Sequence, residues 1–141
     1  MYKIKILTIG KTKEPWLSLA LEEYTKRLKP SLSIEWCLAK QDEQLALLCE
    51  KEAHYICLDP QGKAFSSEAF SAFLQQKLLE GGSRLSFVIG GAKGLPERIK
   101  LRAAALLSLS PLTFTHQLTR LILLEQLYRS LEIARGSSYH K

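Results

Sequence analysis

The sequence predicts an α/β domain with a mostly parallel sheet flanked by helices. Short apolar runs alternate with segments of helical period along almost the whole chain, and that β-α-β-α order favours parallel pairing. Prolines and glycines fall where helices should start or stop. With 141 residues, no internal repeat and no low-complexity linker, residues 1–141 are expected to form one domain around one core.

Residues 3–9 read as the first strand. Residues 14–29 follow as a helix with Trp16, Leu17, Ala20, Leu21, Tyr24 and Leu28 on one face, and Pro30 stops it. Leu32, Ile34, Trp36 and Leu38 alternate as a half-buried strand should. Residues 41–52 give a modest helix, 54–58 a strand, and Asp59-Pro60-Gln61-Gly62-Lys63 a turn. Ser66 or Ser67 can cap the next helix, with Glu68 near its positive end, and Gly81-Gly82 closes it. Residues 85–89 form a strand. Pro96 suits the first turn of a helix reaching about residue 106, and 112–115 is the expected last strand. A helix over about 117–134 ends at Gly136.

That last helix lacks a polar face. Leu118, Leu121, Ile122, Leu123, Leu124, Leu127, Leu131, Ile133 and Ala134 occupy almost every bearing around it. A helix apolar all round must bury two sides, and a chain this small offers little protein for the second. A homodimer through this helix is the expectation.

The apolar fraction of 46% and charged fraction of 24% are ordinary for a globular protein. No apolar segment has the length of a transmembrane helix, and the N-terminus reads as a strand rather than a signal peptide. The three cysteines, Cys37, Cys49 and Cys57, form no C-x-x-C pair. A reduced, cytoplasmic protein with neither membrane nor metal site is expected. Residues 1–83 carry eleven basic and eleven acidic side chains, whereas 84–141 carry nine and three, so the whole +6 lies in the last segment. That asymmetry points to a polyanion such as RNA.

The same segment holds the chemistry. Phe87-Val88-Ile89 breaks on Gly90-Gly91-Ala92-Lys93-Gly94, which suits either a tight turn that lets a helix pack close to its strand or a place where missing side chains let a flat ligand approach the backbone. Neither this run nor Gly10-Lys11-Thr12 fits a standard phosphate loop: a Walker glycine is needed where Lys5 stands, and no G-x-G-x-x-G spacing occurs. Leu109-Ser110-Pro111-Leu112-Thr113-Phe114 is apolar with small hydroxyls, as suits a pocket wall or a strand with an irregular start. His116 reads equally as a cap-region histidine and as a site residue. Glu125 and Arg129 are four apart, so a helical ion pair explains them. The terminal Tyr139-His140-Lys141 would fray unless a partner or an active site ordered it.

Taken in order, these pieces resemble the small trefoil-knotted methyltransferases of the SPOUT superfamily. They are most similar to the large-subunit ribosomal RNA enzymes that methylate ring nitrogen 3 of a pseudouridine. Ile6-Leu7-Thr8-Ile9-Gly10-Lys11, Leu58-Asp59-Pro60-Gln61-Gly62-Lys63, Phe87 to Gly91, Ser108 to Gln117, Leu124 to Arg129 and Tyr139 to Lys141 carry the resemblance. It implies a C-terminal trefoil knot, which unaided topology rules would exclude. It also implies S-adenosylmethionine as cofactor, held by Leu58, Gly90, Leu109, Ser110, Pro111, Leu112, Thr113 and Phe114. A homodimer through the knot region and 23S ribosomal RNA or the ribosome as substrate follow from it too, with Tyr139, His140 and Lys141 toward the RNA. The segment near Lys40-Gln41-Asp42 is shorter than the family's, and Lys93 puts a cation in the glycine loop.

The imide proton of the target nitrogen must leave, and a base that titrates near neutrality suits it. His140 is the expected base, with Arg129 beside it in the catalytic set and Glu125 a weaker choice. Arg120, Arg129 and Arg135 are expected to hold phosphates or developing charge. The competing expectations are a non-enzymatic nucleotide- or RNA-binding α/β module and a flavodoxin-like domain.

Overall fold

The computed structural model describes residues 1–140. Its five strands form one sheet in the order β2-β1-β4-β3-β5, and every pairing is parallel. The elements run β1 (Tyr2–Ile9), α1 (Pro15–Leu28), β2 (Leu32–Ala39), α2 (Asp42–Glu50), β3 (Ile56–Ala64), α3 (Ser67–Glu80), β4 (Arg84–Ile89), α4 (Glu97–Arg102), β5 (Ala105–Ser108) and α5 (His116–Ala134). The α/β class and the parallel sheet agree with the sequence.

Strand alternation divides the core. Ile4, Ile6, Ile56, Leu58, Phe87 and Ile89 face one way, where α1, α3 and α5 cover them with Leu17, Leu21, Leu74, Leu78, Leu123, Leu124 and Leu127. Leu7, Cys57 and Val88 face the other way, toward Leu45 and Cys49 of α2 and Ile99 of α4. Strands covered on both faces read as continuous apolar runs, as Phe87-Val88-Ile89 does. Full burial of each such aliphatic or aromatic side chain contributes about 1.5–3 kcal/mol.

The end of the sheet corrects the sequence. The expected helix over 96–106 stops at Arg102, where Ala103 turns to extended backbone and the Ala104 N–H donates to the Tyr55 carbonyl at 2.8 Å. The last strand is therefore Ala105–Ser108, not residues 112–115. Good helix formers yield here because β3 offers an open edge, and tertiary pairing outweighs propensity. The expected turn at 59–63 is a bulge within β3: Leu58 and Lys63 both register with Leu107. Gly62 permits it, since a Cβ there would lie 2.5 Å from the Leu106 carbonyl carbon.

On α5, Leu123, Leu124, Leu127 and Leu131 enter the core between α1 and α3, and Ser71 ties the helix to α3 by donating to the Ser130 carbonyl at 2.8 Å. Leu118, Ile122 and Ile133 stay half-buried and join neither core cluster. No helix among the described residues is long and apolar enough to cross a membrane.

Candidate active site

In an open parallel sheet, ligands bind beyond the carboxyl ends of the strands, where successive connections leave on opposite faces. Here that place lies between β1 and β4: α1 leaves β1 on one face and α4 leaves β4 on the other. A cavity of about 850 Å³ opens there, at the upper end of the range for small-molecule sites. Its walls are the residues following β1, the β3 bulge, the glycine loop after β4, the 108–115 segment and the first turn of α5.

The glycine loop is a backbone cradle. Gly94 has a φ of +80°, and its N–H donates back to the Gly91 carbonyl at 3.0 Å. A Cβ on Gly90 would lie 2.6 Å from the Gly94 carbonyl carbon, so only glycine lets the two backbones pass. Lys93 stands exposed at the tip and does not line the cavity.

The 109–115 segment belongs to no strand. It is shaped by local bonds: Ser108 donates to the Ser110 carbonyl at 3.0 Å, and Ser110 Oγ accepts from the Leu112 N–H at 2.9 Å. Thr115 then caps α5 by accepting from the Leu118 N–H at 3.1 Å. Leu58, Gly90, Leu109, Ser110, Leu112, Thr113 and Phe114 all line the cavity, while Pro111 is exposed and does not line it. Leu58, Ile89, Leu109, Leu112 and Phe114 give it apolar walls beside backbone N–H and C=O groups. Walls of this kind can take a flat heterocycle by its faces and offer polar groups to its edge.

Further wall residues were not among the expected cofactor contacts. Lys13, Glu14, Trp16 and Leu17 come from the loop after β1 and the start of α1, and His116 and Gln117 from α5. Trp16 is 57% exposed there, a hint available only once the fold places it. His116 Nδ1 is buried without a partner. Its pKa is lowered first by burial and then by Arg120 and Lys13, which favours the neutral imidazole.

Arg120 departs from expectation. It is 0% exposed and lies in the interior rather than on an RNA-facing surface. It donates to Thr12 Oγ1 at 3.0 Å, to the Ile9 carbonyl at 2.9 Å and to the Gly10 carbonyl at 2.7 Å. Beside it Gln117 donates to the Lys11 carbonyl at 3.2 Å and accepts from the Lys13 N–H at 3.0 Å.

The tail lies on its own chain, apart from the cavity. Tyr139 donates to Glu125 Oε2 at 2.9 Å and stands edge-on to Tyr128 at 4.8 Å. Arg129 donates to Glu125 Oε2 at 2.8 Å and to His140 Nδ1 at 2.9 Å, while His140 Nε2 meets Glu68. The expected Glu125–Arg129 pair is thus present, and it anchors the tail. Arg135 pairs with Glu132. Lys141 lies outside the described residues. None of Arg129, Arg135, Tyr139 or His140 lines the cavity of its own chain. Among the described residues no group of three or more His, Cys, Asp or Glu is placed to hold a metal ion.

A parallel sheet with a glycine-cradled cavity at its strand ends defines an α/β protein with room for a small ligand there. The chain belongs to the SPOUT methyltransferases: residues 2–140 match the family described as "Predicted SPOUT methyltransferase". It is 55% identical over 141 residues to the ribosomal RNA large subunit methyltransferase H of Protochlamydia amoebophila (strain UWE25), covering 100% of both chains. The protein of that name from Symbiobacterium thermophilum is 38% identical over 160 residues, with 99% of each chain covered. A probable methylase family protein from Haemophilus influenzae Rd KW20 shares the fold, with a TM-score of 0.58 at 11% identity, covering 98% of this chain and 70% of that one.

Proposed function

We propose that this chain transfers a methyl group from S-adenosylmethionine to ring nitrogen 3 of a pseudouridine in 23S ribosomal RNA. The observation that carries this proposal is the cavity: Leu58, Gly90 and the 109–114 segment, far apart in sequence, meet around one space. Full-length similarity to proteins named ribosomal RNA large subunit methyltransferase H supports the RNA substrate.

The cofactor fits the residues present. Gly90 lets the loop close on the Gly94 backbone at the cavity wall, and the apolar walls suit an adenine ring. Leu58, Leu109, Leu112 and Phe114 would hold the ring, and backbone groups of 109–114 its edge. When bound, S-adenosylmethionine supplies a methyl group already activated on a sulfonium. The protein then has to orient the target nitrogen and accept its proton; positioning of this kind contributes up to roughly 7–11 kcal/mol.

His140 is the proposed base, with Arg129 as its neighbour. In the docked tail both of its ring nitrogens are engaged, by Arg129 and Glu68. It acts only after leaving that position, and the cavity it then serves is that of a second subunit. We therefore include a homodimer through α5 and the knot region. Tyr139, His140 and Lys141 would meet the RNA. Arg135 remains a proposed RNA contact, since its side chain is 63% exposed despite Glu132.

The test is transfer of label from methyl-labelled S-adenosylmethionine to 23S RNA and to ribosomes, with the modified base mapped. Transfer to the pseudouridine by the full chain, lost on truncation before Tyr139, is expected. RNA retention with no label incorporated favours a binding module instead.

A further inference from the structure

We propose that Arg120 and Gln117 are positioning residues, which clamp the loop after β1 so that it forms one wall of the methyl-donor cavity. The inference rests on the cavity being the donor site.

Two side chains one helical turn apart on α5 make five hydrogen bonds to a single loop. Arg120 takes the carbonyls of Ile9 and Gly10 and the hydroxyl of Thr12; Gln117 takes the carbonyl of Lys11 and the N–H of Lys13. Every residue from 9 to 13 is thereby held. The held backbone leads directly into Glu14, Trp16 and Leu17, which line the cavity. The first turn of α5 lines it too, so the clamp joins two walls more than a hundred residues apart in sequence.

The burial of Arg120 sharpens the point. Its guanidinium is fully buried, and among the described residues it has no carboxylate partner. Its Nε has no partner at all. Burial lowers its pKa, with nothing acidic to offset the cost. Two carbonyl dipoles at the end of β1 and the Thr12 hydroxyl accept from it, and the Trp36 ring lies 5.9 Å away. A helix that only needed to pack would carry leucine here, as at 123, 124 and 127. The planar fork of arginine spreads its donors in fixed directions to three acceptors, whereas lysine offers a single compact point of charge.

The experiment uses the full chain and reads two quantities: amide exchange over residues 11–17 in ligand-free protein, and the dissociation constant for S-adenosylmethionine by calorimetry. Gln117→Ala removes two of the five bonds with little effect on the core. It is expected to speed exchange and weaken donor binding by about three- to tenfold, the net effect of losing one hydrogen bond. Arg120→Lys should fall between wild type and Arg120→Met. Ser71→Ala, which breaks a buried α3–α5 bond away from the cavity, controls for general loosening. It should lower the melting temperature and leave both readouts unmoved. Wild-type exchange and affinity in Gln117→Ala and Arg120→Lys would overturn the clamp, as would equal shifts in Ser71→Ala. If wild type binds no donor, the donor-site reading fails and the exchange arm alone judges the clamp.

Discussion

At His116 the protonation state is set by surroundings that only the folded chain supplies. Burial first, then Arg120 and Lys13, lower the imidazole pKa from its ordinary value of 6.5. The unfolded chain therefore binds a proton below that pH while the folded chain still excludes it. By linkage, the stability associated with neutral His116 is full above pH 6.5 and is lost as pH falls through the lowered folded value. Melting temperatures measured downward from pH 7 should fall more steeply for wild type than for His116→Asn; parallel profiles would show that His116 carries no such linkage. The thiols behave differently. Burial pushes Cys57 up to about 12 and Cys49 up to about 11, so both stay protonated and act as small core hydrophobes. Legibility also varies by residue. Gly90 and Leu109 through Phe114 stood out because glycines after an apolar run and an apolar run with hydroxyls are local signals. Arg120 did not, because only the fold puts the free carbonyls of Ile9 and Gly10 beneath it, and a cation on an apolar helix in a basic segment suggests RNA.

Among the elements, the glycine loop is where backbone shape matters most. Gly90→Ala sets a Cβ against the Gly94 carbonyl, and neither backbone can swing aside as a flexible side chain could. It should cost about 1–3 kcal/mol of stability and abolish donor binding. Gly82 also has a positive φ, +64°, but a Cβ there meets nothing within 4 Å. Gly82→Ala should therefore cost less, about 1 kcal/mol, and leave donor affinity unchanged. Chemical denaturation together with calorimetry separates the two. Apart from the 59–63 turn, which lies within β3, the strands and helices up to Ile89 were readable because alternation, caps and stop residues agree with one another; Ser66, for example, does cap α3 by accepting from the Ala69 N–H at 3.1 Å. Beyond Pro96 the signals conflict. Ala103-Ala104-Ala105 favours helix locally, yet β3 needs a partner on its open edge, and the long-range pairing prevails. That displacement frees 109–115 from the sheet and lets it serve as a wall.

For the whole molecule, the +6 charge needs redistributing. Arg120 is interior and Lys100, Arg129 and Arg135 are paired, so among the described residues of the basic segment Arg84, Lys93, Arg98 and Arg102 are the exposed cations without an ion-pair partner. The tail has a related geometry problem. His140 is fastened to Arg129 and Glu68 of its own chain, and the cavity it is proposed to serve is lined by other residues. Half-buried Ile122 on α5 lies outside both core clusters, on the helix through which the homodimer is proposed. Ile122→Glu should leave the monomer fold intact, since nothing in the core depends on Ile122, and shift sedimentation from dimer to monomer. Activity should fall with it, although every cavity residue remains. A mixing experiment then assigns the tail. Gly90→Ala disables a cavity and His140→Ala disables a tail, so each homodimer should be inactive. In a mixed dimer, one intact cavity faces one intact tail from the other subunit. Methyl transfer recovered on mixing would place the working His140 in trans. A mixture that exchanges subunits yet stays inactive would confine the tail to its own chain and remove the reason for a composite site.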